Sequence, residues 1–214
     1  MRLMSPSRIA LVTCVAACLS LSSPLSAQSP KGWKMRVDRS TEASDPDGAG
    51  EIKFVSMGTG FHATNPQAAV YWNPANTATG SYTLKGTFTL QKPSGHNNYY
   101  GLILGGSGLE GASQKYLYFL VAQNGTWLIK TRDGATTGNV VARTPNDAVQ
   151  KPGENGKSTN ALEVRVGADK VDFVINGTVV NSSPKSAGLV TDGIWGVRVN
   201  HLLEVHIDGL GVTK

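Results

Sequence analysis

The stretch SYTLKGTFTLQ, residues 81–91, places Tyr82, Leu84, Phe88 and Leu90 on one parity and Thr83, Lys85, Thr87, Thr89 and Gln91 on the other. Side chains of an extended chain alternate between two faces, so this segment reads as a strand with one buried and one wet face. Gly86 falls on the buried parity, which predicts a neighbouring side chain packed over it or a local bulge. The alternation returns in Leu162, Val164 and Val166 against Glu163 and Arg165. Beyond the turn Gly167-Ala168-Asp169 it continues in Val171, Phe173 and Ile175 against Asp172 and Val174. Asn176-Gly177 then supplies the two positive φ angles of a type I′ turn leading into Thr178-Val179-Val180. Residues 161–180 therefore predict three adjacent strands.

Working outward, Tyr116 to Ala122 is an almost unbroken apolar run followed by Asn124-Gly125 and by Thr126 to Arg132. A run without alternation suits a strand covered on both faces, near the middle of a sheet. The C-terminal pair is Ile194 to Asn200 and Leu203 to Ile207, with Val205 and Ile207 facing inward. Further strands are expected at Trp33–Val37, Ile52–Met57, Phe61–Thr64, Ala69–Trp72 and Tyr99–Leu104. Residues 144–159, rich in Pro, Gly, Asn and Lys, read as the longest surface loop. No long helical pattern, repeat or linker interrupts this series, so the fold class is all-β. A single open sheet of about a dozen strands would curl or split, so two packed antiparallel sheets are expected.

The chain has 214 residues, 40% hydrophobic and 16% charged, with 25 Gly and 10 Pro, which suits a globular domain and argues against disorder, collagen or a coiled coil. Arg2 and Arg8, the apolar stretch Ile9–Leu21 and the small-residue tail Ser22–Ala27 form a secretory signal peptide, residues 1–27, with cleavage before Gln28. Thr13, Ser20, Ser22, Ser23 and Pro24 break the run that a membrane span would need. Val15-Ala16-Ala17-Cys18 also resembles a bacterial lipobox, which would tether the protein through Cys18. Against it, Leu19-Ser20-Leu21 continues the apolar run, so the ordinary cut is favoured. Removing 27 of 214 residues leaves 187, a single domain over 28–214, and lowers the net charge from +5 to +3 with the loss of two arginines. Cys14 and Cys18 both go with the leader, so the mature domain has no disulfide and no cysteine-ligated metal. The location implied is exported, periplasmic or extracellular, with a membrane-tethered lipoprotein as the alternative.

The segments GSYTLKGTFTL, NNYYGLILGG, YLYFLVAQNGTWLIKTRDG, NALEVRVGADKVDFVINGTVV and GIWGVRVNHLLEVHIDGLGV, taken in order, resemble the concanavalin A-like lectin and glucanase superfamily in its laminin-G-like bacterial branches. The resemblance covers nearly all of the mature chain and implies a jelly-roll sandwich of two antiparallel sheets. Lectins, hydrolases and structural modules share that fold, so it does not by itself choose a function. Laminarinase-type members carry Glu-x-Asp-x-x-Glu on one strand. Here none of Glu42, Glu51, Glu110, Glu154, Glu163 and Glu204 has an Asp two residues later, so that retaining mechanism is not carried over. The 3-keto-disaccharide hydrolases are similar only in overall pattern and transfer no catalytic residue.

Sugar rings stack on Trp and Tyr while amides and charged groups bind their hydroxyls. Two strand ends offer such groups, Tyr71-Trp72-Asn73 and His96-Asn97-Asn98-Tyr99-Tyr100, which makes Trp72, Asn97, Asn98 and Tyr99 the candidate ligand-binding residues. Trp127 and Trp195, amid apolar neighbours, are expected in the core. Glu204, His206 and Asp208 share one face of the last strand and are weak metal candidates. Alternate residues on a strand stand about 7 Å apart, so a polar outer face is the favoured reading and no metal or cofactor is expected. Asn124, Asn176 and Asn181 match the glycosylation sequon but are expected in turns. Asp45-Pro46-Asp47-Gly48 lacks the spaced donors of a calcium loop and reads as a turn. Scattered basic residues and a Gly105-Gly106-Ser107-Gly108 run without a following helix or Lys argue against nucleic-acid and nucleotide binding. The residues favour an exported, non-catalytic, carbohydrate-binding sandwich over two alternatives, a glycan-processing hydrolase of the same fold and a structural or assembly protein.

Overall fold

The computed structural model describes residues 29–40 and 43–214; the leader and both cysteines lie outside the described residues. Fourteen strands follow one another: β1 (Lys34–Asp38), β2 (Lys53–Met57), β3 (Gly60–Asn65), β4 (Ala68–Ala78), β5 (Tyr82–Lys92), β6 (Tyr99–Ser107), β7 (Lys115–Ala122), β8 (Thr126–Asp133), β9 (Thr136–Pro145), β10 (Ser158–Val166), β11 (Lys170–Ile175), β12 (Thr178–Pro184), β13 (Gly193–Val199) and β14 (Leu203–Thr213). They form two antiparallel seven-stranded sheets, β1-β4-β13-β6-β7-β8-β9 and β12-β11-β10-β5-β14-β3-β2. This is the expected two-sheet jelly-roll sandwich.

The alternation read from the sequence decides which side chains meet between the sheets. Leu84, Phe88, Leu90, Val164, Phe173, Val205 and Ile207 from the second sheet pack against Tyr71, Tyr100, Leu102, Phe119, Val197 and Val199 from the first. Gly86 is open because other side chains fill its place: a Cβ there would meet Leu210 Cδ1 at 3.2 Å and Phe88 Cε2 at 3.3 Å. Asn176 and Gly177 have φ of 49° and 82°, as the tight turn between β11 and β12 requires. β7 is buried on both faces as expected. Trp127 is in the core, while Trp195 packs against it partly buried.

Three expectations change. β9 was not expected: its sequence TTGNVVARTP is mostly exposed at the edge of the first sheet, so no apolar period marks it. Asn181 lies within β12 rather than in a turn. The two strands of the C-terminal pair do not lie side by side, because β13 belongs to the first sheet and β14 to the second. Inward-facing valines on both strands fit either arrangement, since both sheets share one core.

That last difference positions the site. The chain passes between sheets seven times, and the registers place five of these passages, after β1, β3, β5, β9 and β13, at one end of the sandwich. Buried Asn65 ties the passages after β3 and β13 together: its Nδ2 donates to Gln67 O at 3.0 Å and to Val199 O at 3.1 Å, while its Oδ1 accepts from Tyr71 Oη at 2.7 Å.

Candidate functional site

The face of the first sheet that points away from the core is unlike an ordinary solvated surface. Val70, Trp72, Tyr99, Ile103, Tyr116, Tyr118, Leu120 and Leu128 form a second buried apolar cluster on it. Long side chains cover parts of this cluster: the Arg198 guanidinium lies 5.7 Å from the centre of the Tyr118 ring and that of Arg143 lies 5.3 Å from Tyr99.

Among these rings sits a charged network. Arg36 on β1 and Arg198 on β13 both register with Val70 of the intervening β4, so strand geometry puts them on the same face. Asp38, two residues after Arg36, shares that parity and lies between them. Its Oδ1 accepts from Arg36 Nε at 3.3 Å and its Oδ2 from Arg198 Nη1. Arg198 Nη1 also donates to Tyr116 Oη at 3.0 Å. The Arg198 and Asp38 side chains are only 13% and 10% exposed, so the pair is largely withdrawn from water. Burial opposes the charge on Asp38, but Arg198, through its charge and its hydrogen bond, together with Arg132 and Arg36, outweighs it and holds the carboxyl below its ordinary range. Burial raises the Tyr116 and Tyr118 phenols, which therefore stay protonated and able to donate.

Above the pair opens a cleft of about 620 Å³. Arg36, Arg39 and Arg132 line its sides, and Asp45, Asn98, Asn200 and His201 line the end where the chain crosses between sheets. Four arginines face two aspartates there, leaving a positive surplus. A second cleft of about 530 Å³ lies beside Glu204, but its other charged residues Glu51, Lys53 and Lys92 are exposed and converge on no buried group.

The residues singled out from sequence are distributed unevenly. Asn98 lines the main cleft, is 3% exposed, and donates through Nδ2 to Ser94 Oγ at 3.3 Å. Asn97 is exposed. Trp72 and Tyr99 lie on the same apolar face but are buried, at 1% and 3% exposure. Trp72 registers with Gly196 and Gly196 with Ile103. Ile103 is four positions along β6 from Tyr99, so the two rings stand about 13 Å apart along the strands. Tyr99 Oη is 2.7 Å from Thr126 Oγ1, and Trp72 borders a separate small cleft with Pro74, Leu109 and Glu110. Glu204, His206 and Asp208 divide into pairs: Glu204 lies 3.0 Å from His62 Nε2 across the ladder, and His206 Nε2 lies 3.1 Å from Asp208. Sequence reading missed Arg36, Asp38, Arg132 and Arg198. Their only signal was shared parity on strands far apart in the chain.

No family model and no curated protein matches the sequence. Solved structures do. The carbohydrate binding module CBM66 from Bacillus subtilis superposes with a TM-score of 0.61 at 8% identity, over 86% of this chain and 96% of that one. The likeness is one of fold, a two-sheet antiparallel jelly-roll sandwich. The catalytic domain of an endo-1,3-β-glucanase (laminarinase) from Thermotoga petrophila matches with a TM-score of 0.51 at 13% identity, over 88% and 93% of the two chains. The carbohydrate recognition domain of Emp46p matches with a TM-score of 0.53 at 14% identity, over 85% and 88%. At these identities the likeness is one of architecture.

Proposed function

We propose that this protein is an exported, non-catalytic sandwich module that binds carbohydrate in the cleft above Arg198 and Asp38. The observation that carries this reading is the buried Arg36–Asp38–Arg198–Tyr116 network at the foot of an open cleft. Fixed charged donors beside tyrosine rings are what recognition of hydroxyl-rich rings requires. The network also bears on chemistry. Retaining and inverting glycosidases need two carboxyl groups free to act as acid, base or nucleophile. Both oxygens of Asp38 are engaged by arginines, and Asp45 is engaged by His96 and His201. With both oxygens held by arginines, Asp38 is a poor acid, base or nucleophile, which supports binding over turnover. The positive surplus favours sugars bearing carboxylate or sulfate groups over amino sugars.

A glycan array on the purified protein, followed by calorimetric titration and product analysis, tests this. Saturable binding that weakens with added salt and releases no product is the expected result. Release of shorter saccharides would make the protein a hydrolase, and silence across neutral and acidic glycans would leave a role in protein contacts.

A further inference from the structure

Three of the passages between sheets bring together side chains that the sequence separates widely. Asp45 follows β1, His96 lies between β5 and β6, and His201 lies in the turn between β13 and β14. His201 Nε2 is 3.0 Å from Asp45 Oδ1, and His96 Nδ1 is 2.6 Å from the same oxygen. One ligand atom from each residue lies within 4.8 Å of the other two. We propose that Asp45, His96 and His201 bind a divalent transition-metal ion of the zinc class at the end of the cleft, with Asp47 orienting His201 from outside the coordination shell.

The geometry supports this in several ways. Ligand atoms about 2.0–2.1 Å from a tetrahedral ion stand roughly 3.3 Å apart, so the two histidine–Asp45 separations of 3.0 and 2.6 Å need to widen by about 0.3 and 0.7 Å to admit one. Asp47 Oδ1 lies 3.1 Å from His201 Nδ1. A carboxylate there holds the proton on Nδ1 and turns the Nε2 lone pair toward Asp45, the arrangement by which metal-ligating imidazoles are oriented. A cation between Nε2 and the Asp45 carboxylate, 3.0 Å apart, would take the place that a second ring proton otherwise fills. His201 is only 5% exposed, so its ring is fixed among its neighbours. Its neighbour Asn200 lines the same cleft with a buried Oδ1 that has no hydrogen-bond partner among the described residues.

The donor set indicates the class of ion. Calcium takes six to eight oxygens, whereas two imidazoles and a carboxylate suit zinc and its neighbours and leave a coordination position open. An ion here would cross-link three passages between the sheets and so stabilise the folded state in proportion to its occupancy.

The test uses untagged, chelator-treated full-length protein and zinc chloride alone, so its outcome is independent of the carbohydrate reading. Calorimetry should show one equivalent bound per chain, with a melting temperature that rises with free zinc. Cobalt(II) should give the visible absorption of a tetrahedral site. The His96 side chain is 42% exposed, so H96A leaves the core intact. It should weaken zinc binding at least tenfold and abolish the cobalt band. D45N should behave likewise, and D47N should cost about 10- to 100-fold in affinity. H206A, on the opposite sheet, should bind as the parent does. The proposal is overturned if the parent shows no saturable binding, if H96A and D45N bind zinc as tightly as the parent, or if H206A removes the binding.

Discussion

The two outer faces of the sandwich rest on the same core yet are built on opposite terms. On the second sheet, the parity facing water carries Thr83, Lys85, Thr87, Thr89, Glu163, Arg165 and Asp172, all exposed or half-buried. Opposite charges stand across the ladders, Lys85 beside Glu163 and Arg165 beside Asp172. On the first sheet the corresponding parity carries Trp72, Tyr99, Tyr116 and Tyr118, all buried, with Arg198 and Asp38 set among them. Charge on the solvated face is screened and its partners are interchangeable. Charge on the apolar face is held in one geometry, because leaving it unpaired there is costly. Only the second kind can present fixed donors to a ligand.

The largest break in this comparison should come from Arg198→Ala. It removes the main partner of the largely buried Asp38 carboxylate and leaves it Arg36 at 3.3 Å, so the loss should approach the lower end of the about 3–5 kcal/mol typical for breaking a buried pair. Chemical denaturation of parent and variant measures the loss. A change below about 1 kcal/mol would mean that water reaches Asp38 and that this face is solvated after all.

A smaller effect is expected on binding. Arg132 lines the cleft and is half-buried, with its Nε donating to Gly134 O at 2.7 Å. Arg132→Ala should weaken binding of an acidic saccharide by about 1.5–3 kcal/mol, the range for a charge-assisted hydrogen bond. Calorimetric titration of both proteins with the best array hit checks this. Unchanged affinity would move the ligand away from this cleft.

The pH dependence should separate the faces further. Asp38 has a lowered pKa in the folded state, so its contribution is fully present above the unfolded value near pH 4 and is lost as pH falls through the depressed folded value. Stability should therefore hold from neutrality down to about pH 4 and decline below it. Asp38→Asn should remove that part of the acid limb in melts between pH 2 and 7.

Much of the fold was legible because strict alternation in residues 81–91 and 161–180 can be satisfied only by strands with one buried face. β9 was not, since a mostly exposed edge strand that packs only Val140 and Val141 against the core leaves no period. The assignment of β13 and β14 to different sheets was hidden too, because parity distinguishes in from out but not one sheet from the other. The cleft was legible at one residue. Asn98 lines it, whereas Tyr99 and Trp72 drew attention as residue types but are buried outside its lining, and Asp38 and Arg198, 160 residues apart, resembled any polar residue on a wet parity. Nothing local announces that a sheet's outer face is apolar. Asp45-Pro46-Asp47-Gly48, expected as a turn, is irregular loop after a bend at Asp45, and its carboxylates find His201 only through the passage between sheets.

The smallest predicted effect is the control that gives the first its meaning. Arg165 on β10 makes an ion pair of its own, with Nη2 at 2.9 Å from Glu163 Oε2, and it registers with Asp172 across the ladder. By distance alone this pair resembles Arg198–Asp38. Its side chains, however, are 46% and 29% exposed, so water already solvates both charges and holding two long side chains in one pose offsets most of the Coulomb gain. Arg165→Ala should change stability by no more than about 0.5 kcal/mol, and added salt should erase even that. A loss comparable to that of Arg198→Ala in the same denaturation series would show that surroundings do not separate the two faces, and the argument locating recognition on the first sheet would lose its physical basis.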